Sequence, residues 1–495
     1  MTKQEFIQLV LRHFDFEPTN EQRQALQTLT DFLADREERS AMLLRGAAGT
    51  GKTTLSGAVV RTLDSLGQKF MLLAPTGRAA KVFSLNSGHQ ASTIHRCIYR
   101  QKEYEGDFNL NYNAFAYTLF LVDEASMIGT QLLEDLVSYV YSGRGCRLIL
   151  IGDHAQLPPV GEEWSPALTT SELRMQGLTV HEATLNEVLR QATESGILYN
   201  ATLIRNYPTL PSASQILPRI QLKNFADLHI ISGADFVEHL EQSYREVGID
   251  ETIVVTRSNK WAVTYNLGIR NTLLDREEQL ERGDMLMIVK NKYLQGNQKM
   301  LAAQREQETG NVQEGKVAQA VQGMQKELSF IANGDRARVL RVRKQRELYG
   351  FHFADVLLQF PDYDNQELQT VIITDSLTTE APALTEEQQQ QLYEEVMADY
   401  ADIPRKADRI KALKEDPHYN ALQVKYAYAV TCHKAQGGQW AHVYIDQGYM
   451  PTGSTASVSP HAHQPSPSEY IHWLYTAFTR ATDHLFLVNW PKEQL

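Results

Sequence analysis

Between residues 41 and 190, short apolar runs alternate with segments of helical spacing. The runs are "AMLLRG", "KFMLLAP", "TLFLVDE" and "RLILIGD". Each is a block of consecutive apolar residues, as expected of strands buried on both faces of a parallel sheet. A second series starts with "ETIVVTRSNKWAVTYN" and resumes with "VKYAYAVTCHKAQGGQWAHVYID" and "HLFLVNW". The pattern predicts an α/β fold of two lobes, each a parallel sheet covered by helices. Every run of the first series ends in polar or small residues, and ligands of open α/β sheets gather at the carboxyl ends of strands.

Three stretches break the rhythm. Residues 99–116, "YRQKEYEGDFNLNYNAFA", set a turn-forming "EGD" between aromatic-rich arms and predict a β-hairpin, with Tyr104 and Phe108 flanking the turn. Residues 295–327 are rich in Gln and predict a helical excursion or partial disorder. In 336–424, "RARVLRVR", "FADVLLQF" and "LQTVIITDSL" predict a small barrel, and "TEEQQQQLYEEVMADYADI" an exposed helix with a solvated acidic face. The expected division is a first lobe over 1–190 and a second over 191–335 and 425–495. Residues 336–424 form an inserted β-rich domain. A Ser/Pro/His-rich loop follows Gly453; His461, His463 and, further on, His472 lack a thiol or carboxylate at metal-ligand spacing.

Composition narrows the setting. A chain of 495 residues, 42% hydrophobic and 22% charged, reads as soluble and multi-domain. It has no apolar run of membrane-spanning length, and "MTKQEFIQLVLRHF" is an amphipathic helix rather than a signal peptide. Three widely spaced cysteines fit a reducing cytoplasm without disulfides. The formal charge of -12 excludes a general basic coat, so any contact with nucleic acid must be a local groove of amides and hydroxyls.

The chemistry begins at "LLRGAAGTGKTTL". Gly46, Gly51, Lys52 and Thr53 fit G-x-x-x-x-G-K-[ST], between an apolar strand and a helix. Backbone N–H groups of Gly46, Ala47, Ala48, Gly49, Thr50, Gly51 and the helix start at Lys52, Thr53 and Thr54 can cradle phosphates. Lys52 would reach the β- and γ-phosphates of ATP, and Thr53 would hold Mg²⁺. In "LFLVDEASMI", Asp123 can hold the same Mg²⁺ and Glu124 can polarise water. Gln156 of "LILIGDHAQLPPV" can touch both γ-phosphate and attacking water without taking a proton.

The ordered set "GAAGTGKTT", "APTGRAA", "STIH", "VDEASM", "GDHAQLPPV", "LNEVLRQ", "ANGD", "VTCHKAQG" and "LYTAFTRA" resembles that of superfamily 1 helicases of the RecD-like and Dda-like branch. The likeness runs from about residue 18 to the end, apart from 295–327 and most of 336–424. It implies two RecA-like P-loop lobes with an inserted hairpin and an SH3-like barrel, and ATP-driven 5′→3′ movement on DNA. By position it assigns Gln22 to the adenine edge and Arg190 and Arg480 to the γ-phosphate from across the cleft, with Gly437 in the nucleotide set. Pro75, Thr76, Thr93, His95, Thr431, His433 and Lys434 resemble the residues that hold a strand. Helix capping accounts equally well for Thr76 and Thr93, and core packing for His95. Where the family often has an acid near the end of "HK-x-QG-x-x", this chain has Gln439.

The reading is a monomeric single-strand DNA translocase that works at duplex junctions, with no membrane partner. An RNA or nucleoprotein remodeller with the same motor stays open, since a motor that grips phosphates tolerates a 2′-OH. A P-loop switch or kinase would need no second lobe of this kind.

Overall fold

A computed structural model of the chain describes residues 1–14, 16–101, 108–188, 195–207, 218–222, 225–293, 330–448 and 466–495. Strands are numbered along the chain. The first lobe holds β1 (Ser40–Gly46), β2 (Phe70–Ala74) and β3 (Ala91–Thr93). After them come a ribbon of β4 (Tyr99–Gln101) and β5 (Phe108–Leu110), then β6 (Leu119–Val122), β7 (Arg147–Gly152) and β8 (Thr179–Leu185). Without the ribbon, these form a six-stranded parallel sheet in the order β3-β2-β6-β7-β1-β8. Met42 and Leu44 of β1 bury against Leu26 and Leu29 of helix Asn20–Ala34 and Leu55 and Val59 of helix Lys52–Ser65. The first of these helices starts sharply because Thr19 and Gln22 form a reciprocal capping box. Strands β3 and β8 escape the hydrophobic pattern: one has three residues, and "TVHEATL" is a half-exposed edge strand carrying His181 and Glu182.

The hairpin is shorter than 99–116. Pairing ends at Leu110, because Asn113 is buried and its Nδ2 donates to the carbonyls of Tyr139 and Val140 at 2.8 and 3.2 Å. Tyr104 lies outside the described residues, and Phe108 opens β5.

The second lobe begins with β9 (Leu228–Ile231) and β10 (Thr252–Thr256), then leaves its sheet. Strands β11 (Met285–Ile288), β14 (Arg336–Leu348), β15 (Phe351–Phe360), β16 (Gln366–Ile373) and β17 (Leu422–Tyr426) close a barrel; β12 (Lys292–Tyr293) pairs with β13 (Phe330–Ile331). The barrel therefore exceeds the expected 336–424. Its β11, "MLMI", is buried throughout and pairs antiparallel with both β14 and β17, which would otherwise be open edges. The acidic helix Glu386–Asp399 is solvated on one side only; Leu392 and Val396 pack on Phe351, Phe353, Ile373 and Leu413. The chain then returns through β18 (Ala429–Thr431), β19 (Trp440–Asp446) and β20 (Ala481–Val488) to complete a parallel sheet in the order β18-β10-β19-β20-β9.

Two compact units result. One is Met1–Ile98 with Leu110–Asp275 and Tyr428–Leu495, holding both parallel sheets; the other is Tyr99–Asn109 with Arg276–Ala427, holding the barrel. The segments expected at 295–327 and around His461 and His463 lie outside the described residues. Among the described residues no helix is long and apolar enough to cross a membrane.

Candidate active site between the two parallel sheets

Strand β1 delivers the chain to Gly46 at the carboxyl edge of the first sheet, and helix Lys52–Ser65 begins six residues later. Gly49 and Gly51 turn the chain with φ of 74° and 79°, a region costly for any residue with a side chain. Lys52 Nζ spans the loop, donating to the carbonyls of Gly46 and Ala47 at 2.8 Å each. Thr50 Oγ1 donates to Ala47 O at 2.8 Å, and Thr53 and Thr54 occupy the first helical turn.

Asp123 follows β6 directly and accepts the Glu124 N–H at 2.8 Å. Glu124 is left-handed (φ 51°, ψ 41°), a strain of about 1–2 kcal/mol for a side-chain-bearing residue. Burial, then the charge of Glu124, push the Asp123 carboxyl up to about 7, against the Glu124 N–H and Lys52. A buried carboxylate so disfavoured as an anion, with a P-loop threonine hydroxyl in the fold, suits a divalent cation.

Asp153 follows β7 and is fully buried. The Tyr475 hydroxyl donates to its Oδ2 and the Arg205 guanidinium pairs with its Oδ1. The same phenol oxygen accepts the Ala48 N–H of the phosphate loop at 2.9 Å and Arg205 Nη1 at 3.4 Å. Further bonds from the second lobe hold the segment after Asp153. Thr476 Oγ1 accepts Leu157 N–H at 2.7 Å, Gln436 Nε2 donates to Leu157 O, and His472 Nδ1 donates to Ala155 O at 2.8 Å. Gln156, inside that segment, is buried and accepts from Ser126 Oγ at 3.4 Å.

Two residues of the expected nucleotide set are engaged within the protein. Gln22 does not present its amide outward: Oε1 accepts Thr19 N–H at 3.0 Å and Nε2 donates to Thr50 O at 2.9 Å, so it ties a helix start to the phosphate loop. Arg480 is 1% exposed and turned into its own lobe, donating to Thr476 O, Gly438 O and Thr479 Oγ1 at 2.9–3.0 Å. Arg205 is paired with Asp153, the carboxylate that follows β7 of the first lobe. Arg190 lies outside the described residues.

Of the strand-holding set, Pro75 is buried and Thr76 caps helix Gly77–Ser87, accepting Ala79 N–H at 3.2 Å. Thr93 is buried and accepts Arg96 N–H at 3.4 Å, so both threonines accept an N–H at a helix start. Burial holds His95 below its ordinary value, against Asp135. Thr431 precedes helix Cys432–Ala435 without a side-chain cap bond, and His433 is exposed while Lys434 is half-buried. Gly437 (φ 71°) brings the two halves of the set together: a Cβ there would lie 3.0 Å from Thr76 Oγ1. Beside it the Arg78 guanidinium stacks 4.4 Å over Trp440 and donates to Gln439 O.

The motifs miss Arg205, whose helix Gly196–Asn206, "GILYNATLIRN", has ordinary helical spacing and no signature. Asp153 and Tyr475 stand within quoted motifs, but neither spacing nor residue type marks them as partners.

A family model for an AAA domain matches residues 17–209, and one for the UvrD-like helicase C-terminal domain matches 426–488. The chain is 36% identical over 160 residues to an ATP-dependent RecD2 DNA helicase of Deinococcus radiodurans, covering 32% of this chain and 21% of that protein. It is 31% identical over 191 residues to the ATP-dependent DNA helicase dda of Enterobacteria phage T4, covering 35% and 39%. It thus spans less than half the length of either relative. A solved Pif1 helicase from Bacteroides in complex with ADP-AlF3 and ssDNA aligns over 97% of this chain and 94% of that one, at 15% identity and TM-score 0.47.

Proposed function

We propose that this chain, which belongs to the RecD/Pif1 branch of the superfamily 1 helicases, is an ATP-driven motor that moves 5′→3′ along single-stranded DNA and opens duplex DNA. The observation that carries the reading is the network around Asp153, which joins the phosphate loop to the second lobe through Tyr475 and Arg205. A motor needs the occupancy of one site to bias the relation of two lobes, and these bonds lie where phosphate would be read.

In this reading the loop from Gly46 to Thr54 binds the phosphates of ATP, and Lys52 exchanges its bonds to Gly46 O and Ala47 O for phosphate oxygens. Thr53 and Asp123 would hold Mg²⁺, which supplies charge neutralisation on the phosphates. Glu124 orients the attacking water and takes its proton, and Gln156 reports the γ-phosphate to the segment bonded to the second lobe. Arg205 supplies positive charge beside the site; Arg480 does so only after leaving three acceptors of its own lobe. Pro75, Thr76, Thr93, His95, Thr431, His433 and Lys434 hold the strand, and Tyr104 with Phe108 split the duplex.

The test compares ATP turnover without polymer, with single-stranded DNA and with RNA, then unwinding of 5′-tailed and 3′-tailed duplexes. Stimulation by DNA with opening of the 5′-tailed substrate supports the motor. Turnover indifferent to any polymer removes it, and stimulation by RNA alone reassigns the strand. Tyr104→Ala with Phe108→Ala should slow unwinding several-fold and leave DNA-stimulated turnover near wild type; equal losses in both would count against a role in strand separation.

A further inference from the structure

Strand β10 ends at Thr256, whose neighbours in register are Thr431 of β18 and Asp446 of β19. Three strand ends therefore lie side by side at the carboxyl edge of the second sheet, and Thr431 leads straight into His433 and Lys434. Ser258 caps the helix Asn259–Gly268 that starts at this edge, accepting the Trp261 N–H at 3.3 Å. Trp261 thus falls in the first turn of that helix, beside the strand ends.

Trp261 is 46% exposed and has neighbours on two sides. The Gly448 backbone runs along one edge, where a Cβ would lie 3.5 Å from Nε1 and 3.9 Å from Cδ1. Tyr265, one turn further along, has its ring 6.5 Å away, tilted by 47°, and is itself tied through its hydroxyl to Asp446. A half-exposed aromatic residue with neighbours at its edge can serve as an aromatic platform. Of the other tryptophans, Trp440, Trp473 and Trp490 are buried, and Trp164 is exposed in the segment after β7 of the first lobe. Charge supplies the second argument. A chain of net charge -12 gains little from general attraction to a polyanion. Stacking on bases, which every base accepts, provides grip that does not depend on charge or sequence.

We propose that Trp261 is a stacking platform for an unpaired base of the bound strand, the second lobe's grip on the strand's bases as distinct from its phosphates. The proposal rests on the motor reading above. It makes Trp261 a contact that moves with the second lobe, so that a base is held while the first lobe shifts along the phosphates.

The test measures binding of oligo-dT of about 16 nucleotides and of an abasic deoxyribose-phosphate oligomer of equal length, by fluorescence anisotropy at one salt concentration. Trp261→Ala should weaken oligo-dT binding roughly 5- to 100-fold and abasic binding less than about twofold, while Trp261→Phe retains most of the affinity for oligo-dT. Trp261→Leu, which keeps apolar bulk without a π-face, should behave as the alanine variant does. Equal weakening on both oligomers, or unchanged oligo-dT binding, overturns the platform and leaves the motor standing. A wild-type protein that binds neither oligomer overturns both readings.

Discussion

Asp153 is an anion without solvent, kept so by its partners. Burial alone would raise its carboxyl, but Lys52, Arg205, the Tyr475 hydroxyl and the Ala155 N–H together hold it below the usual range. A depressed folded value contributes stability that is present above the unfolded carboxylate value and lost as pH falls through the folded one. Arg205→Met therefore leaves a buried charge short of a partner and should cost about 3–5 kcal/mol in urea denaturation at pH 7. The double variant with Asp153→Asn should recover part of it, and an additive double variant would show that the pair does not interact. For the chemistry, Lys52→Ala should abolish turnover, whereas Glu124→Gln should bind nucleotide and stall; near-normal turnover in Glu124→Gln would remove the glutamate from the water-activating role. The positions of these two residues, at a helix start and after β6, are legible because the phosphate loop and the strand-end acid pair have fixed spacing. Gln22 was legible too, in another sense: "T-N-E-Q" from Thr19 is a capping-box signature, and the structure uses it as one. Arg205 was not, since its partner is 52 residues away and nothing local records the pairing.

Among elements, the barrel shows where periodicity stops informing. Its β15 and β16 vary in burial along the strand, but β11 is a short apolar run indistinguishable from a lobe strand, and only its antiparallel partners reveal it. Strand β17 also carries Lys425, whose Nζ donates to Thr379 O and whose pKa burial pushes down to about 8. For a base with a depressed folded value, stability is whole above the unfolded value near 10.4, declines as pH falls, and is fully lost below about 8. Lys425→Met should accordingly stabilise the barrel by about 1 kcal/mol at pH 7, after allowance for partial solvent exposure, and by nothing above about pH 11. Hydrogen exchange of barrel amides at the two pH values reads the difference; a gain that persists at high pH would have another origin.

For the whole molecule, the two lobes and their strand ends could be foreseen, whereas the order of strands within each sheet could not, because parallel pairing leaves no local mark. The close approach of Gly437 to Thr76 is likewise a product of tertiary assembly. Gly437→Ala, strained by its positive φ and by a Cβ 3.0 Å from Thr76 Oγ1, should narrow the ratio of DNA-stimulated to polymer-free turnover several-fold. An unchanged ratio would mean that strand and nucleotide are coupled elsewhere.

The nesting of the barrel inside the second sheet also dictates a schedule of synthesis. The first sheet is complete once Leu185 has emerged, but Val255 must wait for Val430, some 175 residues later. At about 5–20 residues per second that is roughly ten to thirty seconds, during which the apolar "TIVVT" has no partners on either side. Once the barrel closes, Leu286 sits beside Tyr426, and the open loop between the waiting strands shrinks to about 35 residues, lowering the entropic cost of closure by roughly 1–1.5 kcal/mol. Closure of the inserted domain thus clasps the nascent chain in the direction that favours completion of the second sheet.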